Sequence, residues 1–327
     1  MEFGMLSHHW DGSLEQVQGW LCSRKYNGWS ALWDGGITRG MLAEEVPWYY
    51  KGKDNQIAST GLWTLGRTKL NKIRPKVIQA PSYFTNKLPI NVPVHGELWY
   101  KDRKDIVKKT CGLKYGYSPM WYNIGFMAFN IKPYSLWEKI IEVPKYRNIT
   151  SFHLTHPGEN FQKTLSYLNQ YTNEIFTSVP TWPIITEQDI KNSQKVAIGQ
   201  KWEGLMFANP VSKYECKRSW NNLKWKGVYE TEAAVYGYEE GKTGRVIGKV
   251  GAIKATMVWD EKVISAHGGK KSFVGKEVNF CVSGLMDTER EWEKCKQVYP
   301  IGSKIKFKYS EVSTHGVPQS CNIYREK

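Results

Sequence analysis

Beyond residue 231 the chain breaks into short apolar or alternating segments parted by glycine-rich turns, and no other feature narrows the fold as much. The segments are 246–250, 252–258, 278–282, 304–309 and 319–324. Glu240-Gly241-Lys242-Thr243-Gly244 and His267-Gly268-Gly269 stand between them, and turns of that composition punctuate strands. Five short strands in the last 96 residues suit a small closed β-barrel of the oligonucleotide-binding (OB-fold) type. A compact β-sandwich is the alternative from pattern alone.

Upstream, strand-like segments at 29–33, 92–100, 124–131, 204–208 and 223–238 mix with helical spacing. That spacing is clear at Phe161, Leu165 and Leu168 and weaker over 135–142 and 187–198. Regular β-α-β alternation is missing, so the fold class expected is α+β rather than a parallel sheet. A length of 327 residues predicts two domains, drawn at 1–231 and 232–327. With 15 Trp, 19 Tyr and 11 Phe the chain has ample material for packed cores, which excludes a disordered protein. No apolar run approaches the roughly 20 residues of a membrane span, and residues 1–10 lack a secretory signal. Six scattered cysteines form no Cys-x-x-Cys pair, which points to reduced thiols rather than a zinc site or disulfide framework. A monomer in the cytoplasm, without membrane contact, is the expectation.

The formal net charge is +15, and it is unevenly spread. Residues 51–114 hold 14 Lys/Arg against 4 Asp/Glu, two-thirds of the whole excess. Arg67, Lys69, Lys72, Arg74 and Lys76 fall within ten residues, as expected of a face that meets phosphates.

Near the start, Lys25-Tyr26-Asn27-Gly28 places a lysine in a tight turn. Such a turn is common on surfaces; its interest lies in the ordered set of carboxylates, rings and lysines downstream. Nucleotidyl transfer needs an amine nucleophile, a held metal, and cations for the charge that develops. Lys25 fits the nucleophile, and Glu97, in Val94-His95-Gly96-Glu97-Leu98-Trp99, fits a carboxylate accepting a ribose hydroxyl. Phe126 and Phe129 offer a ring for a base, and Glu203, in Trp202-Glu203-Gly204, offers a metal ligand. Lys224 and Lys226 point the same way from one strand and suit an α-phosphate.

Taken together these segments resemble the small, two-domain ATP-dependent DNA ligases of phages, viruses and bacteria, within the lysine nucleotidyltransferase superfamily. Lys25–Gly28 is similar to the first motif, and Ser30-Ala31-Leu32-Trp33-Asp34-Gly35 continues as in small bacterial ligases. Gly96-Glu97-Leu98, Phe126 to Asn130, Glu203-Gly204 and Lys224-Trp225-Lys226 resemble the later motifs. Ser283-Gly284-Leu285, Asp287 to Arg290, Gly316-Val317-Pro318 and Tyr324-Arg325 resemble the terminal barrel. The resemblance implies a nucleotidyltransferase domain of antiparallel sheets with flanking helices, followed by the OB-fold. It implies adenylylation of Lys25, transfer of AMP to the 5′-phosphate of a nick in duplex DNA, and sealing by the 3′-hydroxyl. ATP and Mg2+ are the expected cofactors, with Mn2+ as a substitute metal. NAD is not expected, because only 24 residues precede Lys25. Glu97, Phe126 or Phe129, Lys224, Lys226 and Arg325 would bind the nucleotide, Glu203 the metal, and Arg39 the nick phosphate.

The chain departs from that pattern at Asn27, where Asp is usual, and at Ser30, where Arg is usual. Asn130 replaces another Asp, and Gln319 a basic residue. RNA ligases and RNA-capping guanylyltransferases share the lysine chemistry, and a catalytically inactive nucleic-acid binding module would share the surface.

Overall fold

A computed structural model describes residues 5–46, 48–49, 56–64, 75–112, 118–131, 160–261, 263–264, 271–313 and 315–325. The chain divides into two compact units, Met1–Trp225 and Lys226–Lys327. The architecture is mixed α and β, with several sheets and few helices.

The first unit contains β1 (Leu6–His9), β2 (Leu21–Lys25), β3 (Trp29–Asp34), β4 (Leu62–Thr64), β5 (Pro93–Trp99), β6 (Gly125–Ile131), β7 (Phe176–Ser178), β8 (Thr181–Pro183), β9 (Gly204–Ala208) and β10 (Arg218–Lys226). They form two five-stranded sheets, ordered β1-β10-β9-β2-β8 and β4-β3-β5-β6-β7. Pairing is mostly antiparallel, but β1 runs parallel to β10 and β6 parallel to β7. The chain leaves the first sheet at Lys25 and enters the second at Trp29, so the turn between is the crossing from sheet to sheet.

Each sheet has its own core. Trp33, Phe84, Trp121, Phe126 and Phe176 fill one; Val17, Cys22, Leu205, Phe207 and Leu223 fill the other. Among the described helices of this unit are α1 (Ser82–Thr85), α2 (Lys104–Cys111), α3 (Phe161–Asn169) and α4 (Glu187–Gly199). α3 lies on β6 and β7, and α4 on β9. Thr186 caps α4 by accepting from the Asp189 N–H, while the Asp189 carboxylate accepts from the Thr186 N–H.

The second unit is built on a five-stranded sheet. Its strands are β11 (Tyr229–Glu240), β12 (Val250–Val258), β13 (Glu277–Val282), β14 (Lys304–Tyr309) and, past the hairpin β15 (Glu311–Val312) and β16 (Pro318–Gln319), β17 (Asn322–Ile323). The order is β13-β12-β11-β14-β17. A parallel bridge joins Ser283 to Asn322, so the end of β13 also meets the last strand. α5 (Trp292–Val298) precedes β14.

Several sequence expectations need correction. The single strand expected over 223–238 is two, β10 and β11, in different sheets; Gly227 and Val228 part them while alternation runs on through both. The segment 246–250 is mostly turn, with Gly244 and Gly248 at positive φ, and β12 begins only at Val250. The strand expected over 319–324 is split by Ser320 in the left-handed region (φ 56°). The helix expected over 135–142 lies outside the described residues.

Candidate active site

Gly28 explains the shape of the lysine turn. A Cβ there would sit 2.1 Å from the Leu98 carbonyl oxygen and 2.8 Å from Glu97 Cγ. Only glycine lets the turn close on β5, where the Gly28 N–H donates to Glu97 Oε1 at 3.1 Å. Gly96 does the same one residue before Glu97, since a Cβ would meet the Phe126 ring at 2.5 Å.

Lys25 ends β2 opposite Gly204 of β9, which brings Glu203 to its side. Lys25 Nζ donates to Glu203 Oε2 at 2.5 Å, and the Glu203 side chain is only 4% exposed. A cavity of about 330 Å³ opens beside Lys25, within the usual range for small-molecule sites. Ser23, Lys25 and Tyr26 line it from β2 and the turn, His95 and Glu97 from β5, and Phe129 from β6. Arg218, Asn222 and Lys224 line it from β10. Burial pushes the Glu97 carboxyl up to about 7. Lys25 and Lys104 pull it back down, Glu203 adds to the rise, and the Gly28 N–H opposes it. Glu97 thus titrates near neutrality.

A half-buried polar relay runs along the wall. The Met5 N–H donates to the Tyr214 hydroxyl at 3.1 Å, and that hydroxyl lies 3.0 Å from His95 Nδ1. His95 Nε2 lies 3.2 Å from Ser30 Oγ. Burial pushes the Tyr214 hydroxyl far above its ordinary value, so it keeps its proton. Its oxygen accepts from the Met5 N–H, and each imidazole nitrogen of His95 has a polar neighbour, the Tyr214 hydroxyl at Nδ1 and the Ser30 hydroxyl at Nε2. Phe129 meets His95 edge to face at 4.6 Å between ring centres.

The remaining expected residues fall elsewhere. Phe126 is fully buried in the core and stacked on Phe176, so it cannot cover a ligand; Phe129, in the cavity wall, is the ring available. Lys226, the last residue of β10 and the first of the second unit, pairs with Glu311 of that unit, while Lys224 is in the cavity lining. Arg325 donates to Glu289 at 2.5 Å and to the Gly284 carbonyl at 2.7 Å, as an internal pair of the second unit. Burial opposes ionisation of Glu289, yet the Met286 N–H and the Arg325 guanidinium outweigh it and hold the carboxyl below its ordinary value.

Arg39 is exposed, donates to Asn86 Oδ1 at 2.7 Å and does not line the cavity. Its turn is anchored by Asp34, which is wholly buried and accepts from the Thr38 hydroxyl, the Trp63 indole and the Gly36 N–H. Burial pushes the Asp34 carboxyl up to about 6 against those bonds. Lys76 is exposed. Arg67, Lys69, Lys72 and Arg74 lie outside the described residues. Among the described residues no group of three or more His, Cys, Asp or Glu could hold a metal by itself. No described helix is long and apolar enough to cross a membrane.

No protein-family model matches the chain, and no curated protein matches it in sequence. Solved structures do match it in fold. A Lig E DNA ligase, from a study of DNA binding with a minimal scaffold, covers 99% of this chain and 99% of its own at 20% identity and a TM-score of 0.63. Pmar-Lig_PreS3 covers 98% of this chain over 67% of its own, at 17% identity and a TM-score of 0.64. Pmar-Lig_Pre matches similarly, over 98% and 66%, at 16% identity and 0.64. The chain has the fold of a small DNA ligase.

Several cavity and turn residues escaped sequence reasoning. His95, Tyr214, Arg218 and Asn222 carry no motif signal, since their roles depend on strands far apart in sequence. Alternation on β5 did hold one clue: His95 is two residues before Glu97 and so shares its face.

Proposed function

We propose that the chain is an ATP-dependent DNA ligase that seals 5′-phosphate/3′-hydroxyl nicks in duplex DNA through a lysyl-AMP intermediate. The observation that carries this reading is Lys25 Nζ held on buried Glu203 at a cavity that Glu97, Phe129 and Lys224 also line. The ligase fold supports it.

In the first step Lys25 Nζ attacks the α-phosphorus of ATP. The N–P bond forms, the bond to the bridging oxygen breaks, and pyrophosphate leaves. Before it attacks, Lys25 must lose the proton it donates to Glu203 Oε2 at 2.5 Å. Lys224, with Arg218 also in the cavity wall, meets the charge on the phosphate. Phe129 covers the base, and Glu97, poised near neutrality, takes a ribose hydroxyl.

Mg2+ is commonly held by one or two carboxylates together with substrate phosphates, and Glu203 is the carboxylate that would hold it here. The metal would supply charge neutralisation at the phosphates.

In this reading the first unit is the nucleotidyltransferase domain and the second an OB-fold. The strand order of the second unit, with its Ser283–Asn322 bridge between outer strands, supports a closed barrel. Six free cysteines fit a cytoplasmic monomer, and the positive net charge fits nicked DNA as partner. Arg39 and the 67–76 segment remain the proposed phosphate contacts.

The test is incubation with labelled ATP and magnesium. Wild type is expected to retain covalent label and seal a nicked DNA duplex, and Lys25→Ala to do neither. Label on Lys25→Ala equal to wild type would overturn the assignment. Labelling by GTP, or faster sealing of nicked RNA, would replace the DNA-ligase reading with an RNA-directed one.

A further inference from the structure

Residues on both sides of Lys25 converge on one carboxylate that no motif contains. Asp102 lies in the turn after β5, 75 positions from Asn27 in sequence. Its Oδ1 accepts from the Asn27 N–H at 3.2 Å and from the Trp99 indole N–H at 2.8 Å. Its Oδ2 pairs with the Arg24 guanidinium, and both side chains are 21% exposed. The guanidinium in turn lies 5.0 Å from the ring centre of Tyr26 and 5.1 Å from those of Trp99 and Trp202. Trp202 adjoins Glu203, the partner of Lys25.

Asp102 itself is held in an unusual conformation. Lys101 and Asp102 are successive non-glycine residues at positive φ, 44° and 55°. Strain of this kind persists only where the surroundings over-determine it, and here three donors do so.

We propose that Asp102 is a positioning residue for the nucleophile: by tying Arg24 and Asn27 to one carboxylate it sets the turn that presents Lys25 to Glu203 and the cavity. The proposal rests on the reading of Lys25 as nucleophile.

The test compares wild type with Asp102→Ala and Asp102→Asn. At saturating ATP, Asp102→Ala is expected to form the Lys25 label at least tenfold more slowly, with KM for ATP changed less than threefold. Asp102→Asn, which keeps an acceptor for the Asn27 N–H, is expected to fall between. A role in folding alone would lower the amount of active protein without slowing the labelling rate of what remains. Independently of activity, the Asn27 amide is expected to lose its protection from hydrogen exchange in Asp102→Ala and to keep it in Lys25→Ala. An unchanged labelling rate, or an Asn27 amide equally protected in Asp102→Ala, overturns the proposal. If Asp102→Ala does not fold, Asp102→Asn is judged by the same two readouts. If wild type takes no label, the ligase reading fails, and exchange at Asn27 still decides whether the clamp exists.

Discussion

In the second unit β13 and β14 alternate exposed and buried residues without a break, and their inward side chains include Val278, Phe280, Ile305 and Phe307. The strands that frame the cavity of the first unit turn Lys25, His95, Glu97 and Lys224 inward instead. An apolar interior is satisfied by any well-fitting neighbour. A polar one needs particular partners, and those come from far along the chain: Glu203 for Lys25, Asp102 for Arg24, Tyr214 for His95. The first kind of region stores stability, the second stores chemistry.

Five substitutions can break or sharpen that contrast. Phe307→Ala, in the second unit's core, should cost about 3–5 kcal/mol in denaturant unfolding. Phe129→Ala, in the cavity wall, should cost far less stability and weaken nucleotide binding by about 1–3 kcal/mol. Equal losses of stability at the two positions would erase the distinction. Next in size, Gly28→Ala forces a Cβ against the Leu98 carbonyl, and a cost near 3 kcal/mol is expected, about the upper end for overpacking because backbone must move. Labelling of Lys25 should fall with it; an unaffected variant would show that the turn is not a rigid crossing between the sheets.

Arg325→Ala leaves Glu289 buried without its guanidinium, and about 1–2 kcal/mol of stability should be lost. A loss of labelling with no change in unfolding would instead place Arg325 among the nucleotide contacts.

The smallest effect concerns Glu97. Its folded value, about 7, lies above the ordinary 4.5, so between those pH values the folded state holds a proton that the unfolded state has released. Its contribution to stability is therefore full below about pH 4.5 and falls as pH rises through 7. Discounted for its partial exposure, the change is about 1–2 kcal/mol. Glu97→Gln should flatten that slope in denaturant midpoints taken from pH 4.5 to 8. A slope unchanged in the variant would assign it to another group, with Asp34 the first to examine.

Much of this was legible in the residues themselves. The strands at 29–33, 92–100, 124–131, 204–208 and 304–309, and the helices near 161–168 and 187–198, match described elements within a few residues. Lys25, Glu97, Phe129 and Lys224, which the motif order picks out, line one cavity. Phe126 and Phe129, three apart, face opposite sides of β6, and alternation alone does not say which side meets the cavity. Nor could alternation reveal that 223–238 changes sheet at Gly227, since the period of two continues on both sides.

What the sequence alone determined is local: which segments are strands, that Gly28 must come soon after Lys25, and which residue types suit phosphate and ribose. Those rest on periodicity and on chemistry carried by single side chains. Only the tertiary structure decided which groups meet: Lys25 with Glu203, His95 with Tyr214, and Asp102 with both flanks of the nucleophile turn. The reason is physical. A buried charge or donor is stable only beside its complement, and strand pairing between distant segments, not spacing along the chain, sets which complement arrives.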